Sequence, residues 1–413
     1  MTTRPYNPEQ DFDAVLRIWH EVGWIEKGND DQTEGLRIFA EQYRGLVVDL
    51  DGSPECYVAT GLGTIRHTGT DLSLSAVTAV TTSHIARRQG LAQRLTARGI
   101  ADDVAEGAMV SALGVFDQGF YNKLGFGSGS YERWHALDPG DLRVPRVDRL
   151  PSRLTKDDWE AVHQSRLNRR RGHGACSLFI AAATRAEMLW ASNGFGLGFA
   201  DGPDGEITHH MWITTKSMEN GPLSVWWMSF QDFDQFLELM GLLANLGDQV
   251  HLVRIREPAG IQIQDLLSQP FRRSRISEKS QYEAKSSSFS YFQLRICDVT
   301  GCVAAATLDG APVRFNLALT DPIETILEAE GSEWRGVAGN YVVEFGPVSS
   351  AEPGLDASLP TLRAGVGAFT RLWLGVQPAS GLAVTDDLAG PAELLEDLDR
   401  ILRLPDPKPD WDF

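Results

Sequence analysis

The sequence is poor in cysteine and has no long hydrophobic run. Its 413 residues include four cysteines, Cys56, Cys176, Cys297 and Cys302, which are scattered and form no CxxC pair. They are too few for a disulfide framework, so we expect a reduced, cytoplasmic protein. No uninterrupted apolar run reaches the ~18 residues that a membrane-spanning helix needs, and we expect no membrane partner.

Positive charge is also scarce. Lys and Arg together number 38 against 56 Asp and Glu, which gives a formal charge of −18. This balance argues against a nucleic-acid partner, because a phosphate-backbone binder needs a basic face. A basic run at residues 166–171 is interpreted as a solvated helix face or a set of intersubunit ion pairs.

A pattern of metal ligands is missing as well. His209 and His210 are adjacent in a strand-like segment, so their side chains should point to opposite faces of the strand. No Cys or His-x-Glu partner lies near them in the sequence. We therefore predict no metal site.

Three regions of mixed helix and strand pattern follow one another. The predicted domains are 1–150, 151–285 and 286–413. Short strand-like runs separated by turns such as Asp51-Gly52 indicate antiparallel sheet, and each region also carries amphipathic helical spacing. The Ser-rich stretch at 272–290 is interpreted as a linker or exposed crossover. The order of elements predicts an α+β fold with mixed, mainly antiparallel sheets.

The most informative stretch runs from Val80 to Ala92. A strand gives way to a loop with Arg87 and Arg88, and then to a helix that opens with Gly90. Backbone N–H groups in the first turn of a helix have no intrahelical partner, and phosphates bind there. The single glycine, with no Lys-Ser or Lys-Thr after it, excludes a P-loop and a dinucleotide-binding fingerprint. On these residues alone, a capped helix with solvated arginines remains the alternative.

Two motifs at the right separation resemble the GNAT acetyltransferase superfamily. Arg87-x-x-Gly90-x-Ala92 resembles its acyl-CoA pyrophosphate motif, and Gly119–Phe126 resembles its second signature, an aromatic pair followed by x-x-x-Gly-Phe. The resemblance implies acetyl-CoA as co-substrate and no metal. The end of the strand would bind the pantetheine arm, the helix start the pyrophosphate, and two further residues would flank the far side of the thioester channel. The implied cofactor-binding residues are Val80, Thr81, Thr82, Arg87, Arg88, Gln89, Gly90, Leu91, Ala92, Gln93, Phe116 and Asp117.

Acetyl transfer to an amine needs a proton donor for the leaving thiolate and a proton acceptor for the attacking nitrogen. The second motif places Tyr121 as the donor. The three-part layout, the length and the terminal Phe413 resemble the enhanced-intracellular-survival (Eis) family, which has two GNAT-like domains and a C-terminal domain like sterol carrier proteins. That resemblance implies that only the first GNAT-like domain binds CoA. It further implies that the α-carboxylate of Phe413 is the proton acceptor and that the protein is a homohexamer. The alternative to each role is that the side chain, Tyr121 or Phe413, only packs against its neighbours.

The resemblance also implies the acceptor. Family members acetylate amines of aminoglycosides, and some act on lysine side chains, so a small cationic amine, a polyamine or a lysine side chain is expected. The candidate substrate-binding residues are Trp24, Glu26, Asp30 and Asp31, in the loop after the first helix, and Asp412. A different class stays open: a carrier of lipid or another hydrophobic ligand, with a vestigial acetyltransferase half. The intact Arg87–Ala92 motif and Tyr121 favour the enzyme.

Overall fold

The structure is a computed structural model that describes residues 2–116 and 118–413. Asp117, one of the predicted cofactor-binding residues, lies outside the described residues. The strands are, in chain order, β1 Thr2–Pro5, β2 Arg44–Leu50, β3 Ser53–His67, β4 Thr70–Thr82, β5 Val110–Gly114, β6 Gly127–Ser128, β7 Glu132–Leu137, β8 Ser152–Leu154, β9 Cys176–Leu178, β10 Phe195–Phe199, β11 His209–Thr215, β12 Leu223–Ser229, β13 Val253–Arg256, β14 Lys285–Phe289, β15 Phe292–Ile296, β16 Val313–Thr320, β17 Gly339–Phe345, β18 Ser350–Pro353, β19 Thr361–Gly365 and β20 Leu388–Ala389.

Helices cover these strands and connect them. They are α1 Pro8–Glu21, α2 Asp30–Gln42, α3 Leu91–Ala105, α4 Trp159–Asn168, α5 Ala181–Trp190, α6 Phe233–Asn245, α7 Pro270–Ser277, α8 Val299–Ala304, α9 Ile323–Ala329, α10 Val366–Trp373, α11 Ala379–Thr385 and α12 Ala392–Ile401. Within the described ranges, no helix combines the length and the hydropathy required to cross a bilayer.

The first sheet contains the strands that flank the predicted phosphate-binding helix. Its order is β1-β2-β3-β4-β5-β15-β6, with β9 paired to β3. β1 to β4 are antiparallel, whereas β4 and β5 are parallel and are joined by α3. α3 buries Leu91, Leu95 and Ile100 against the sheet. The predicted passage from strand to loop to helix between Val80 and Ala92 is therefore confirmed.

The second sheet repeats this plan. Its order is β14-β7-β13-β12-β11-β10-β8. β10, β11 and β12 are antiparallel, and α6 connects β12 to the parallel strand β13. α6 buries an apolar stripe that includes Phe236, Leu239 and Leu243 under the sheet.

The third sheet has the order β18-β17-β16-β19-β20 and packs against α8, α10, α11 and α12. Its core is filled with large side chains, because Phe315, Phe345, Phe369 and Trp373 are all fully buried. The three mixed layers confirm the predicted α+β class. The likeness of this third unit to sterol carrier proteins stays a prediction.

Several strands cross the predicted domain boundaries. β9, within 151–285, pairs with β3 of the first sheet, and β14, at the boundary of 285 and 286, belongs to the second sheet. β7, before the predicted boundary at 150, belongs to the second sheet, and β15, after the boundary at 286, belongs to the first. The division into domains stays a prediction. The interpretation of 272–290 as a linker is wrong in part: it contains most of α7 and the edge strand β14, which pairs with β7. A polar edge strand needs only backbone pairing, so its serines gave no strand signal.

Candidate active site

A split between β4 and β5 forms the base of the site. The parallel pairing of these strands runs from Leu74 opposite Val110 to Val77 opposite Leu113 and then ends. Ala79 has a positive φ of 53°, and the register of β4 against β3 shifts at this point. This bulge turns the strand away from β5. The backbone after Val77 therefore has an edge available to an extended ligand.

The helix that follows this strand has an uncapped N-terminus. Gly90 is the N-cap of α3 with a left-handed φ of 73°, and no side chain caps the helix. The N–H of Arg94 is the first to bond within the helix, to the carbonyl of Gly90 at 3.1 Å. A Cβ at Gly90 would meet nothing within 4 Å, and Arg87 and Arg88 are exposed beside it. The arrangement suits a diphosphate, because free backbone donors and the helix dipole meet there and the preceding loop carries two arginines.

An aromatic cleft of about 490 Å³ opens at the split. Five residues of the sequence prediction line it besides Asp412: Val80, Trp24, Phe116, Tyr121 and Phe413. Thr81 and Thr82 continue β4 toward the loop and are outside its lining. The other lining residues come from all parts of the chain and are Trp19, Phe39, Val77, Thr78, Ala79, Gly114, Val115, Trp190, Trp226, Tyr291 and Phe292.

Tyr121 lies in a short 3₁₀ turn immediately after the β5 strand and its loop. Only 2% of its surface is exposed. Its ring is packed edge-on against Phe120, Phe116 and Phe126, with ring centroids 4.8, 6.3 and 6.1 Å away. These contacts fix the ring, so the phenol is held at one position in the wall of the cleft.

The C-terminal segment reaches the same cleft. A Cβ built on Gly114, at the end of β5, would lie 3.5 Å from a carboxylate oxygen of Phe413. The Phe413 ring packs on Phe292 at 5.5 Å. The terminal carboxylate is therefore located at the open end of the split, in the cleft that Tyr121 lines.

The segment before Phe413 is docked by backbone hydrogen bonds. The N–H groups of Lys408 and Cys176 bond to the carbonyls of His173 and Pro409 at 2.9 and 2.8 Å. Farther along, Lys408 and Asp410 line a cavity between β12 and the end of β13. The second sheet also splits there, since its parallel pairing is limited to Leu223–Ser224 of β12. The split in the second sheet thus borders the C-terminal segment.

Three arginines hold the last residues. Arg169 bonds to Asp410 at 2.7 Å and Arg256 bonds to Asp412 at 2.9 Å. Trp411 is fully buried, with the guanidinium of Arg166 3.9 Å above its ring.

Burial opposes the charge of Arg256, but Asp412 and Glu132 outweigh it and raise the pKa of its guanidinium. The interpretation of 166–171 as a solvated face is therefore wrong for Arg166 and Arg169, which are both buried. Their charges are compensated by Glu187 and Asp410, which are distant in sequence, so the spacing of the arginines alone did not reveal this.

Three acidic residues predicted to bind substrate are not in the cleft. Glu26 is exposed and is absent from the lining. Asp30 and Asp31 do not lie in a loop: they form the first turn of α2, whose N-cap is Asn29. Asp31 also pairs with Lys156. Acidic residues in a first helical turn are favoured by the helix dipole, which explains them without a ligand.

A cluster of Asp201, His209 and Glu238 has spacing that could hold a cation. The guanidinium of Arg149 already bonds to both carboxylates, at 2.7 and 2.6 Å. Arg149 lowers the pKa of each of them. The charge of the cluster is thus compensated by a side chain of the protein itself.

No family model and no curated protein matches this sequence, but solved structures match the whole fold. A probable N-acyltransferase from Enterococcus faecalis has 15% identity and a TM-score of 0.76, covering 100% of this chain and 99% of that one. A GCN5-related N-acetyltransferase from Kribbella flavida has 17% identity and a TM-score of 0.74, with coverage of 100% and 98%. Eis1 from Mycobacterium abscessus has 16% identity and a TM-score of 0.73, with coverage of 100% of both chains. The chain has the Eis-like GNAT fold.

The Eis-like GNAT fold confirms the resemblance seen in the two motifs, at the level of architecture. Sequence reasoning missed the residues that make the cleft aromatic, among them Trp19, Phe39 and Trp190. In sequence these look like core residues at helical spacing. Their only distinguishing signal is the abundance of tryptophan, 11 in the chain, which does not say where the side chains meet.

Proposed function

We propose that this protein is an acetyl-CoA-dependent N-acetyltransferase that acetylates a primary amine by direct attack in a ternary complex. The observation that carries the proposal is the common cleft of Tyr121 and the Phe413 carboxylate at the split of β4 and β5. Acetyl-CoA supplies the acetyl group. The free edge of β4 and the uncapped start of α3 fit its pantetheine arm and its diphosphate.

The two groups divide the proton transfers. The Phe413 carboxylate accepts a proton from the acceptor ammonium, so that the nitrogen lone pair can form the new bond to the thioester carbonyl carbon. The carbon–sulfur bond breaks, and the Tyr121 hydroxyl donates its proton to the departing sulfur. The nitrogen loses its second proton as the amide forms, and this proton restores the Tyr121 hydroxyl, so the products are the amide and the free thiol. The fixed ring of Tyr121 suits a donor that must meet one atom, since proton transfer requires hydrogen-bond reach.

A lipid carrier is the less favoured alternative. A carrier needs an internal apolar cavity, but the third unit is filled at its centre by Phe315, Phe345 and Phe369, which are fully buried. The open N-terminus of α3 and the packed Tyr121 ring have no use in a carrier. Stabilisation by fatty acids or sterols but not by acetyl-CoA in a thermal-shift screen would reverse this preference.

The test is thiol release from acetyl-CoA with a panel of amines. We expect Tyr121→Phe to lower kcat by about 100-fold, the lower range for loss of a general acid. Tyr131→Phe is the matched control, because Tyr131 is 59% exposed and is outside the cleft lining. A chain lengthened by a few residues after Phe413 should lose activity and still bind acetyl-CoA in calorimetry. Normal turnover of the lengthened chain would remove the terminal base, and normal turnover of Tyr121→Phe would remove the phenol.

A further inference from the structure

The turn that carries Tyr121 is held from outside by a buried arginine. It is a four-residue 3₁₀ segment, Tyr121–Leu124, and the carbonyl of its last residue has no partner within the turn. The guanidinium of Arg295, on strand β15, donates a hydrogen bond to this carbonyl of Leu124. Arg295 is fully buried, so water does not compete for the contact. The position of the turn therefore depends on a side chain that is distant in sequence.

Arg295 is itself fixed by the third unit. Its guanidinium bonds to the carboxylate of Asp321 at 2.6 Å, and neither side chain is exposed. Asp321 follows β16, and its carboxylate accepts hydrogen bonds from the backbone N–H groups of Ile323 and Val337 at 3.3 and 2.9 Å. A guanidinium buried without a counter-charge is strongly unfavourable, so Asp321 keeps Arg295 in place. The ion pair thus connects the backbone of the third unit to the turn.

The packing around the ion pair leaves little room for the turn to move. Gly125, the C-cap of the turn, has a left-handed φ of 80°. A Cβ there would lie 2.5 Å from the Val366 side chain of α10 and 3.0 Å from the Asp321 carboxylate. The apolar side chains of the turn also share one core cluster with those of α9, the helix after β16. The third unit therefore packs against the turn as well as against Arg295.

We propose, on the basis of the acetyltransferase function above, that Arg295 and Asp321 are positioning residues that hold the proton donor Tyr121 within reach of the departing sulfur. Neither residue lines the aromatic cleft, so their effect passes through the Leu124 carbonyl to the turn and its phenol. Proton transfer requires hydrogen-bond reach. Displacement of the turn should therefore slow the proton donation and leave the binding of acetyl-CoA unchanged. The third unit thereby acquires a role in catalysis.

Replacement of both charges together tests the proposal. The variant Arg295→Met with Asp321→Asn leaves neither charge buried alone, and Asn can still accept a backbone hydrogen bond, so the protein should fold. We expect kcat in thiol release to fall about tenfold, less than for loss of the phenol, and the KM for acetyl-CoA to change by less than about twofold. Arg295→Lys keeps the ion pair but loses the planar fork that reaches two acceptors, so its kcat should be intermediate. Wild-type kcat in either variant would overturn the inference and leave the acetyltransferase function intact.

Non-additivity with Tyr121→Phe separates positioning from general damage. Once the hydroxyl is absent, displacement of the turn has no proton donation left to disturb, so replacement of the ion pair should not lower kcat again in that background. A further loss of similar size there would overturn the inference. The control is Arg314→Met with Glu344→Gln, which removes an exposed ion pair between β16 and β17 of the same unit and should retain wild-type kcat.

Amide hydrogen exchange reports on the turn without any activity. The N–H groups of Gly125 and Phe126 close the turn by bonding to carbonyls within it, at 3.0 and 3.3 Å. Both amides should exchange faster when Arg295 and Asp321 are replaced together, and unchanged exchange would overturn the inference. If the wild-type protein releases no thiol with any amine, the proposed function fails, and this measurement still decides whether the ion pair fixes the turn.

Discussion

Replacement of Arg256 by Gln tests whether the docking of the C-terminal segment controls catalysis. Arg256 bonds to Asp412 and to Glu132, each at 2.9 Å, and it lies outside the lining of the aromatic cleft. Without the guanidinium, Asp412 and Phe413 lose one attachment, while Trp411 and Asp410 keep theirs. Re-fixing one backbone residue costs about 1–2 kcal/mol. We therefore expect kcat to fall about tenfold.

The same variant has a separate effect on stability. Glu132 is 4% exposed, and loss of a buried ionic partner costs about 3–5 kcal/mol when the remaining charge persists. Burial already raises the pKa of Glu132, so protonation limits the loss, and we expect about 2–3 kcal/mol in the free energy of unfolding. Asp412 adds less than about 1 kcal/mol, because its side chain is 44% exposed and solvent screens the pair.

Steady-state thiol release separates positioning from general damage. The KM for acetyl-CoA should not change, since Arg256 is absent from the cleft lining and its guanidinium bonds to Glu132 and Asp412. Arg256→Lys should recover part of kcat. Arg254→Gln is the matched control, because Arg254 is an exposed residue of the same strand. In a chain that lacks Phe413, Arg256→Gln should have no further effect on kcat. A full tenfold loss in that background, or wild-type kcat in the intact chain, would refute the reasoning.

Two other substitutions test separate features. Gly90→Val places a β-branched residue at a φ of 73°, which costs about 1–2 kcal/mol, and brings its side chain into the open start of α3. We expect the Kd for acetyl-CoA to rise about tenfold in calorimetry. Unchanged binding would contradict the assignment of the diphosphate to the start of α3. His67 is fully buried, and burial, followed by the charge of His173, lowers its pKa from 6.5 to about 4. The folded protein holds His67 in its neutral form. The contribution of His67 to the free energy of unfolding is therefore complete above the unfolded pKa and is lost as the pH falls from 6.5 toward 4, by about 2 kcal/mol at pH 5. His67→Gln should reduce the pH dependence of urea unfolding in that window by its own share, because His163 and His210, whose pKa values burial also lowers, remain. His84→Gln, at an exposed site, should retain the wild-type slope.

The chain's own pattern determined the parts of the site that are contiguous in sequence. The strand, the arginine loop and the helix start at Gly90 are encoded by neighbouring residues, because helix capping and backbone conformation depend on local hydrogen bonds. Tyr121 was assigned from the resemblance of Gly119–Phe126 to the second signature, whose residues are also contiguous, and it lies in a short 3₁₀ turn after β5. The homohexamer, the cytoplasmic location and the likeness to sterol carrier proteins stay predictions.

Only the tertiary structure decided what surrounds these elements. Trp19, Trp190 and Phe292 meet in one cleft because α1, α5 and β15 pack at the same split of the sheet, and no local pattern encodes that meeting. The partners of Arg169 and Arg256 are likewise more than a hundred residues away, at Asp410 and Asp412. Such contacts are determined by long-range strand pairing and packing, whereas a local sequence pattern determines only the structure of residues a few positions apart.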